Sequence, residues 1–165
     1  MISKVIQDGL NAQINHEFYS SYLYLSMASY FESVNWPGFA AWVRVQSNEE
    51  ETHAKKFVAY VQDRGGRVIL DVIKAPPTEF KNALDVFQQV YAHEQHVTAL
   101  INSLYVQAVK ESDYATQGAL QWFINEQVEE EKNASLIVEQ LKRIGDSTGS
   151  LFALDHHLGK RSGAG

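Results

Sequence analysis

Four long stretches of this chain repeat apolar residues with the 3.6-residue period of an α-helix, and a glutamate interrupts each apolar stripe near its middle. The first runs from about Lys4 to Ser33, with stripe Leu10, Ile14, Glu17, Ser21, Tyr24, Ala28 and Phe31. The second runs from about Gly38 to Arg64, with Val43, Ser47, Glu50, Ala54, Phe57 and Val61. The third runs from about Asn82 to Lys110, with Phe87, Val90, Glu94, Val97, Ile101 and Leu104. The fourth is capped by Ser112-Asp113 and reaches Ile144, with Leu120, Phe123, Gln127, Glu130, Ala134, Ile137 and Leu141. The breaks are chemical. Pro37 suits the first turn of a new helix, and Gly65-Gly66 and Gly145 supply stops. A short fifth helix is predicted from about Ser150 to Leu158, carrying Leu151, Leu154 and Leu158, followed by a loose tail over residues 159–165.

These elements predict an all-α, four-helix bundle spanning about residues 4–144, with a short C-terminal fifth helix, in one domain of 165 residues. Each long helix is about 40 Å at 1.5 Å per residue. The connections one-to-two and three-to-four are short and predict antiparallel hairpins. The connection from Gly65 to Lys81 is different: at about 3.3 Å per residue it reaches roughly 55 Å, more than the bundle length. It can therefore run along the bundle and bring helix three in parallel to helix two. A β-strand over Arg67–Lys74 is the alternative, but a lone strand has no partner. A long crossover held by apolar anchors is the expectation.

Composition narrows the classes. Hydrophobic residues at 45% and charged residues at 21% are ordinary for a globular chain. No apolar run approaches the roughly 20 residues of a membrane span, and the N-terminus lacks the apolar core of a secretory leader. With no cysteine, thiolate zinc sites and iron–sulfur clusters are excluded, and a cytoplasmic location is expected. A net charge of −6 argues against nucleic-acid partners, and no membrane partner is expected either.

The four glutamates change the picture. The expected midpoints of the helices fall within about two residues of Glu17, Glu50, Glu94 and Glu130, so in a bundle the four carboxylates share one level. Burying one unpaired charge costs roughly several kcal/mol, and four also repel each other. None of the four stripes holds a Lys or Arg to offset them. Bound cations are the simplest counter-charge. His53 lies three residues after Glu50, on the same face, so Glu50-x-x-His53 forms a ligand pair. Oxygen-rich ligands with one nitrogen favour Fe or Mn over tetrahedral Zn. Ferritin-like di-iron carboxylate bundles are the standing example of such a set, with two single glutamates and two Glu-x-x-His pairs. Here the second pair is replaced by Gln127-x-x-Glu130, and position 133 is Asn. An amide in place of a carboxylate makes a poorer, asymmetric second position, suited to metal that passes through. A second acidic group, Glu49, Glu126 and Glu129, lies one residue before the ligand positions on α-helical faces turned by about 100°. It reads either as a third metal position or as a solvated face paired with Lys55, Lys56 or Lys132.

Together these motifs resemble the bacterial non-haem ferritins. The resemblance spans about Ser3 to Leu158 and rests on Asn15-His-Glu-Phe-Tyr-Ser-Ser-Tyr-Leu-Tyr24, Asn48-Glu-Glu-Glu-Thr-His53, His93-Glu-Gln-His96 and Trp122-Phe-Ile-Asn-Glu-Gln-Val-Glu-Glu-Glu131. It implies a homo-oligomeric shell of 24 copies that stores iron. Fe(II) would be oxidised by O2 or hydrogen peroxide at a di-iron ferroxidase centre inside each subunit. By resemblance, Glu17 and His53 hold the first iron, Glu50 bridges, Glu94 and Glu130 hold the second, and Gln127 is a weak partner. Glu49, Glu126 and Glu129 match a third iron position. Tyr24 matches a tyrosine beside the centre and a candidate electron donor; a packed core tyrosine bonded to a glutamate is the other reading. Haem is not expected, because the only methionines are Met1 and Met27 and the candidate axial region carries Thr52. Two other classes remain open at this stage: a rubrerythrin-like di-iron peroxidase, and a cage that nucleates mineral without a competent oxidation centre. His16, His93 and His96 lie off the stripes and are expected at a surface or interface. His156-His157 is expected to be exposed, with a channel role as the alternative.

Overall fold

The computed structural model describes residues 2–161. Its helices are α1 (Lys4–Ser33), α2 (Pro37–Asp63), α3 (Ala83–Lys110), α4 (Tyr114–Ile144) and α5 (Thr148–Leu158). Side-chain caps begin four of them. Ser3 accepts from the Ile6 amide, Asn82 from Asp85, Asp113 from Thr116 and Ser147 from Ser150. The fifth helix therefore starts two residues before the expected Ser150, because Ser147 supplies the cap. Helix α2 has no side-chain cap and starts instead on Pro37, whose missing N–H would be unpaired there in any residue. Gly65 sits at φ 69°, the left-handed position that stops α2. Among the described residues no helix is long and apolar enough to cross a membrane.

The apolar stripes form two cores. One gathers Tyr24, Met27 and Phe31 of α1 with Phe39 and Val43 of α2, Phe87 and Val90 of α3, and Ile137 and Leu141 of α4. The other gathers Ile6, Leu10 and Ile14 with Phe57 and Val61, Val97 and Ile101, and Leu120 and Phe123. The first core takes the start of α2 and of α3 but the end of α1 and of α4. Helices α2 and α3 therefore run parallel, with α1 and α4 opposed to them. Between the cores lies one polar layer containing Glu17, Glu50, Glu94 and Glu130, as the midpoint argument predicts.

The crossover is held differently from expectation. Its apolar residues Ile69, Leu70, Val72 and Ile73 are exposed, and only Val68 and Phe80 reach the cores. Polar side chains of α1 do most of the fastening. Gln7 accepts from the Arg67 amide (2.8 Å), Asn11 bonds both Arg67 O (3.0 Å) and the Ile69 amide (3.1 Å), and Asn15 donates to Val72 O (3.2 Å). Ser26 donates to Pro77 O at 2.7 Å. The extended chain thus borrows from α1 the hydrogen bonds that a sheet neighbour would give a strand.

The tail is also not loose throughout. Within it Arg161 is half-buried and bonds Gln46 and Glu49 of α2. Residues 162–165 of the expected tail lie outside the described residues.

Candidate metal centre

In the polar layer Glu17, Glu50 and Glu94 are each 1% exposed, Gln127 4%, His53 5% and Glu130 6%. No solvent reaches charges buried to this degree, so each must be met from within or by a ligand. The layer divides into two halves with different answers.

The first half belongs to α1 and α2. Glu17, Glu50 and His53 each bring one ligand atom within 4.8 Å of the others. His53 presents Nδ1, 3.4 Å from Glu50 Oε2 and 4.0 Å from Glu17 Oε2. Its ring is wedged edge-on against Trp122 and Phe123 of α4, with centroids 5.3 and 6.1 Å away. Gln13, one turn before Glu17, donates to Glu17 Oε1 at 2.7 Å. The other Glu17 oxygen and both Glu50 oxygens have no hydrogen-bond donor. Burial pushes both carboxyls well above the usual range, and each is raised further by a neighbouring carboxylate, Glu50 for Glu17 and Glu94 for Glu50. Without metal, Glu17 and Glu50 are close enough to share a proton; as two carboxylates their three remaining oxygens have no donor.

The second half belongs to α3 and α4, with Tyr24 from α1. Here both Glu94 oxygens and one Glu130 oxygen are already met. The Tyr24 hydroxyl donates to Glu94 Oε1 in a short hydrogen bond. Gln127 Nε2 donates to Glu94 Oε2 at 3.1 Å and lies 3.2 Å from both Glu94 O and Thr98 Oγ1. Gln46 of α2 donates to Glu130 Oε2 at 2.8 Å. Glu94 and Glu130 are both raised by burial to about 7, their donors acting in the opposite direction. Tyr24 is raised too, by burial and then by Glu94. It is the packed tyrosine bonded to a glutamate that one of its two readings describes.

The expected second acidic group is not drawn together in this structure. Among the described residues, only Glu17, Glu50 and His53 bring three ligand atoms within 4.8 Å. Glu49 is half-buried and pairs with Arg161 at 2.8 Å, Glu126 is half-buried, and Glu129 is exposed. Two of the lysines expected as partners are used elsewhere. Lys55 pairs with Glu51 at 2.6 Å, and Lys56 lies 3.2 Å over the Trp122 ring. His93, expected at a surface or interface, also has partners inside the bundle. It is half-buried, bonds Ser20 Oγ at 2.7 Å and packs edge-on against Tyr24 at 5.8 Å. Burial lowers it to about 4, so the ring supporting Tyr24 is neutral. His16 meets His96 edge-on at 6.3 Å, and His156 and His157 are exposed.

Sequence reasoning passed over Gln13, Gln46 and Arg161. The two glutamines each stand four residues before a ligand glutamate, at Glu17 and Glu50, so their spacing could have marked them. Arg161, in a glycine-rich tail, carries no such mark.

This pairing of a carboxylate–imidazole cluster with an adjacent carboxylate pair inside a crossover bundle matches a known family. The ferritin-like domain matches residues 7–144. The chain belongs to the ferritin family. Bacterial non-heme ferritin from Bacteroides fragilis is 45% identical over 161 residues, covering 98% of this chain and 100% of that protein. The Staphylococcus saprophyticus protein of the same name is 40% identical over 162 residues, covering 98% and 97%. Among solved structures, an open-pore ferritin from the hyperthermophilic archaeon Archaeoglobus fulgidus superposes with a TM-score of 0.97 at 48% identity, covering 98% of this chain and 100% of that one. A ferritin of that organism engineered into a closed form gives 0.98 at 48% identity, covering 99% and 100%.

Proposed function

We propose that this ferritin stores iron by oxidising Fe(II) in the polar layer and passing Fe(III) to a mineral inside a cytoplasmic shell of 24 copies. Iron is the substrate. Two Fe(II) ions give up one electron each, and O2 is reduced to hydrogen peroxide, or peroxide to water, with two protons taken up. Glu17 and His53 hold the first ion, Glu50 lies between the two, and Glu94 and Glu130 hold the second. Gln127 stays a hydrogen-bonding partner of Glu94, and Tyr24 holds that carboxylate in place. The carboxylates supply the negative charge that favours the higher oxidation state, and the fold supplies the geometry.

One observation carries this reading. Three buried oxygens of Glu17 and Glu50 have no internal donor, and two of them, Glu17 Oε2 and Glu50 Oε2, lie 4.0 and 3.4 Å from His53 Nδ1. A cation is what satisfies such a set at neutral pH. Family membership supports storage and assembly. The exposed apolar side chains Tyr22, Leu25, Ile69, Leu70, Val72 and Ile73 support assembly.

Replacing Glu50 tests it. Glu50→Ala is expected to slow aerobic Fe(II) oxidation by at least about a hundredfold in stopped-flow measurements, with the particle mass unchanged. Unchanged fast oxidation refutes the assignment. A dimer in place of a large particle would instead fit a dinuclear peroxidase.

A further inference from the structure

Among the described residues, one guanidinium reaches the polar layer, and it comes from the far end of the chain. Helix α5 is docked on the start of α2, where the Phe39 amide donates to Asp155 Oδ1 at 2.8 Å. The fit is close: a β-carbon on Gly38 would lie 1.8 Å from the Asp155 carbonyl oxygen. This docking carries the chain past Gly159 and lays Arg161 over the Trp42 ring, at 4.6 Å, with only 22% of its side chain exposed. From there Arg161 donates to Gln46 Oε1 and, at 2.8 Å, to Glu49 Oε2.

Arginine is a donor only. It therefore fixes which way the Gln46 amide points: oxygen toward Arg161, nitrogen toward Glu130. The amide nitrogen occupies Glu130 Oε2, which leaves Glu130 Oε1 for a ligand. Arg161 and the ionised Glu130 thus require the same orientation; without Arg161 the amide oxygen loses its donor and only the bond to Glu130 orients the side chain. The guanidinium also places a positive charge at Glu49, beside the half of the layer where hydrogen bonds already compete with metal.

We propose that Arg161 is a positioning residue of the second metal position. It orients Glu130 through Gln46 and holds Glu49 with its own charge, so a divalent cation at Glu130 meets a like charge beside it and is denied the Glu49 carboxylate. The C-terminal segment thereby weakens metal retention at one edge of the centre. The inference rests on the reading of the polar layer given under Proposed function.

Zinc, a redox-inert divalent ion, separates the two in calorimetric titrations of the assembled protein. In the native chain a first, tight step belongs to Glu17, Glu50 and His53, and a second, weaker step to Glu94 and Glu130. Arg161→Ala is expected to leave the first step within about twofold and tighten the second by about tenfold at low salt, as removal of one nearby like charge should. The gain should shrink as salt rises, which a merely structural role would not produce. Arg161→Lys should stay near native, because it keeps the charge. Adding Glu49→Gln to Arg161→Ala should remove most of the gain. Circular dichroism and particle mass check that the variants fold and assemble. Native-like second-step binding in Arg161→Ala, or a gain untouched by Glu49→Gln, overturns the proposal. Should Arg161→Ala not assemble, a second step in Arg161→Lys more than about tenfold from native overturns it as well. Absence of the first step in the native chain is the different failure: it sinks the centre itself, and the inference with it.

Discussion

The two halves of the polar layer hold the same kind of side chain and treat it in opposite ways. On α1 and α2, three oxygens of Glu17 and Glu50 are left without donors. On α3 and α4, Glu94 has Tyr24 and Gln127, and Glu130 has Gln46. A buried carboxylate without donors is costly until a cation arrives, so much of that cost returns as metal affinity. A carboxylate already bonded must give up protein hydrogen bonds before it takes metal. On the proposed function, the first half would hold an ion firmly and the second only briefly, the asymmetry that release of an oxidised product would require.

The largest expected contrast is between ligand deletions. Glu17→Ala should weaken the first Zn2+ step by about a hundredfold, whereas Glu94→Ala should weaken only the second, by about tenfold. Equal losses would erase the distinction between the halves.

A pH series is the next test. Glu94 and Glu130 stand at about 7 in the fold, above the 4.5 of an unperturbed glutamate. Between those values the fold keeps protons that the unfolded chain has lost, so folding takes up protons. Stability of the metal-free protein should be full below about 4.5 and decline as pH rises through about 7, with a melting temperature lower by roughly ten degrees across that window. Saturating Zn2+ should flatten the slope at its neutral end, because a bound cation keeps the carboxylates ionised. A melting temperature that rises with pH in the metal-free protein would contradict the charge account.

Making the halves alike is a third test. Gln127→Glu replaces a donor to Glu94 with another carboxylate, and should tighten the second step by about tenfold and slow transfer of Fe(III) to mineral. The smallest effect is expected from Tyr24→Phe. It frees Glu94 Oε1 for metal but also raises that carboxyl further, and the two effects oppose, leaving about a threefold gain in the second step. A stopped-flow trace following metal uptake resolves both variants.

Much of this was legible in the chain. Periodicity located the helices to within a few residues, and the mid-stripe position of Glu17, Glu50, Glu94 and Glu130 foretold one shared layer. Local spacing also exposed Glu50-x-x-His53. The asymmetry was harder to see, because its causes are distant in sequence: Tyr24 bonds Glu94 across 70 residues and Gln46 bonds Glu130 across 84. The substitution at Gln127 hinted at it, but the donor to Glu130 comes from another helix. Arg161 was wholly hidden, since only the docking of α5 on Gly38 brings a tail residue to the site. The crossover path followed from length alone. Its fastening by Gln7, Asn11 and Asn15 did not, because polar residues on an exposed helix face usually meet water.

The central claim is that the donor-free half takes metal first. The most direct test is an anaerobic crystal structure of the assembled protein given one Fe(II) per chain. The account predicts iron bounded by Glu17, Glu50 and His53, with the Tyr24–Glu94 and Gln46–Glu130 hydrogen bonds intact. Iron bound first between Glu94 and Glu130, or at Glu49 in place of Arg161, would contradict it.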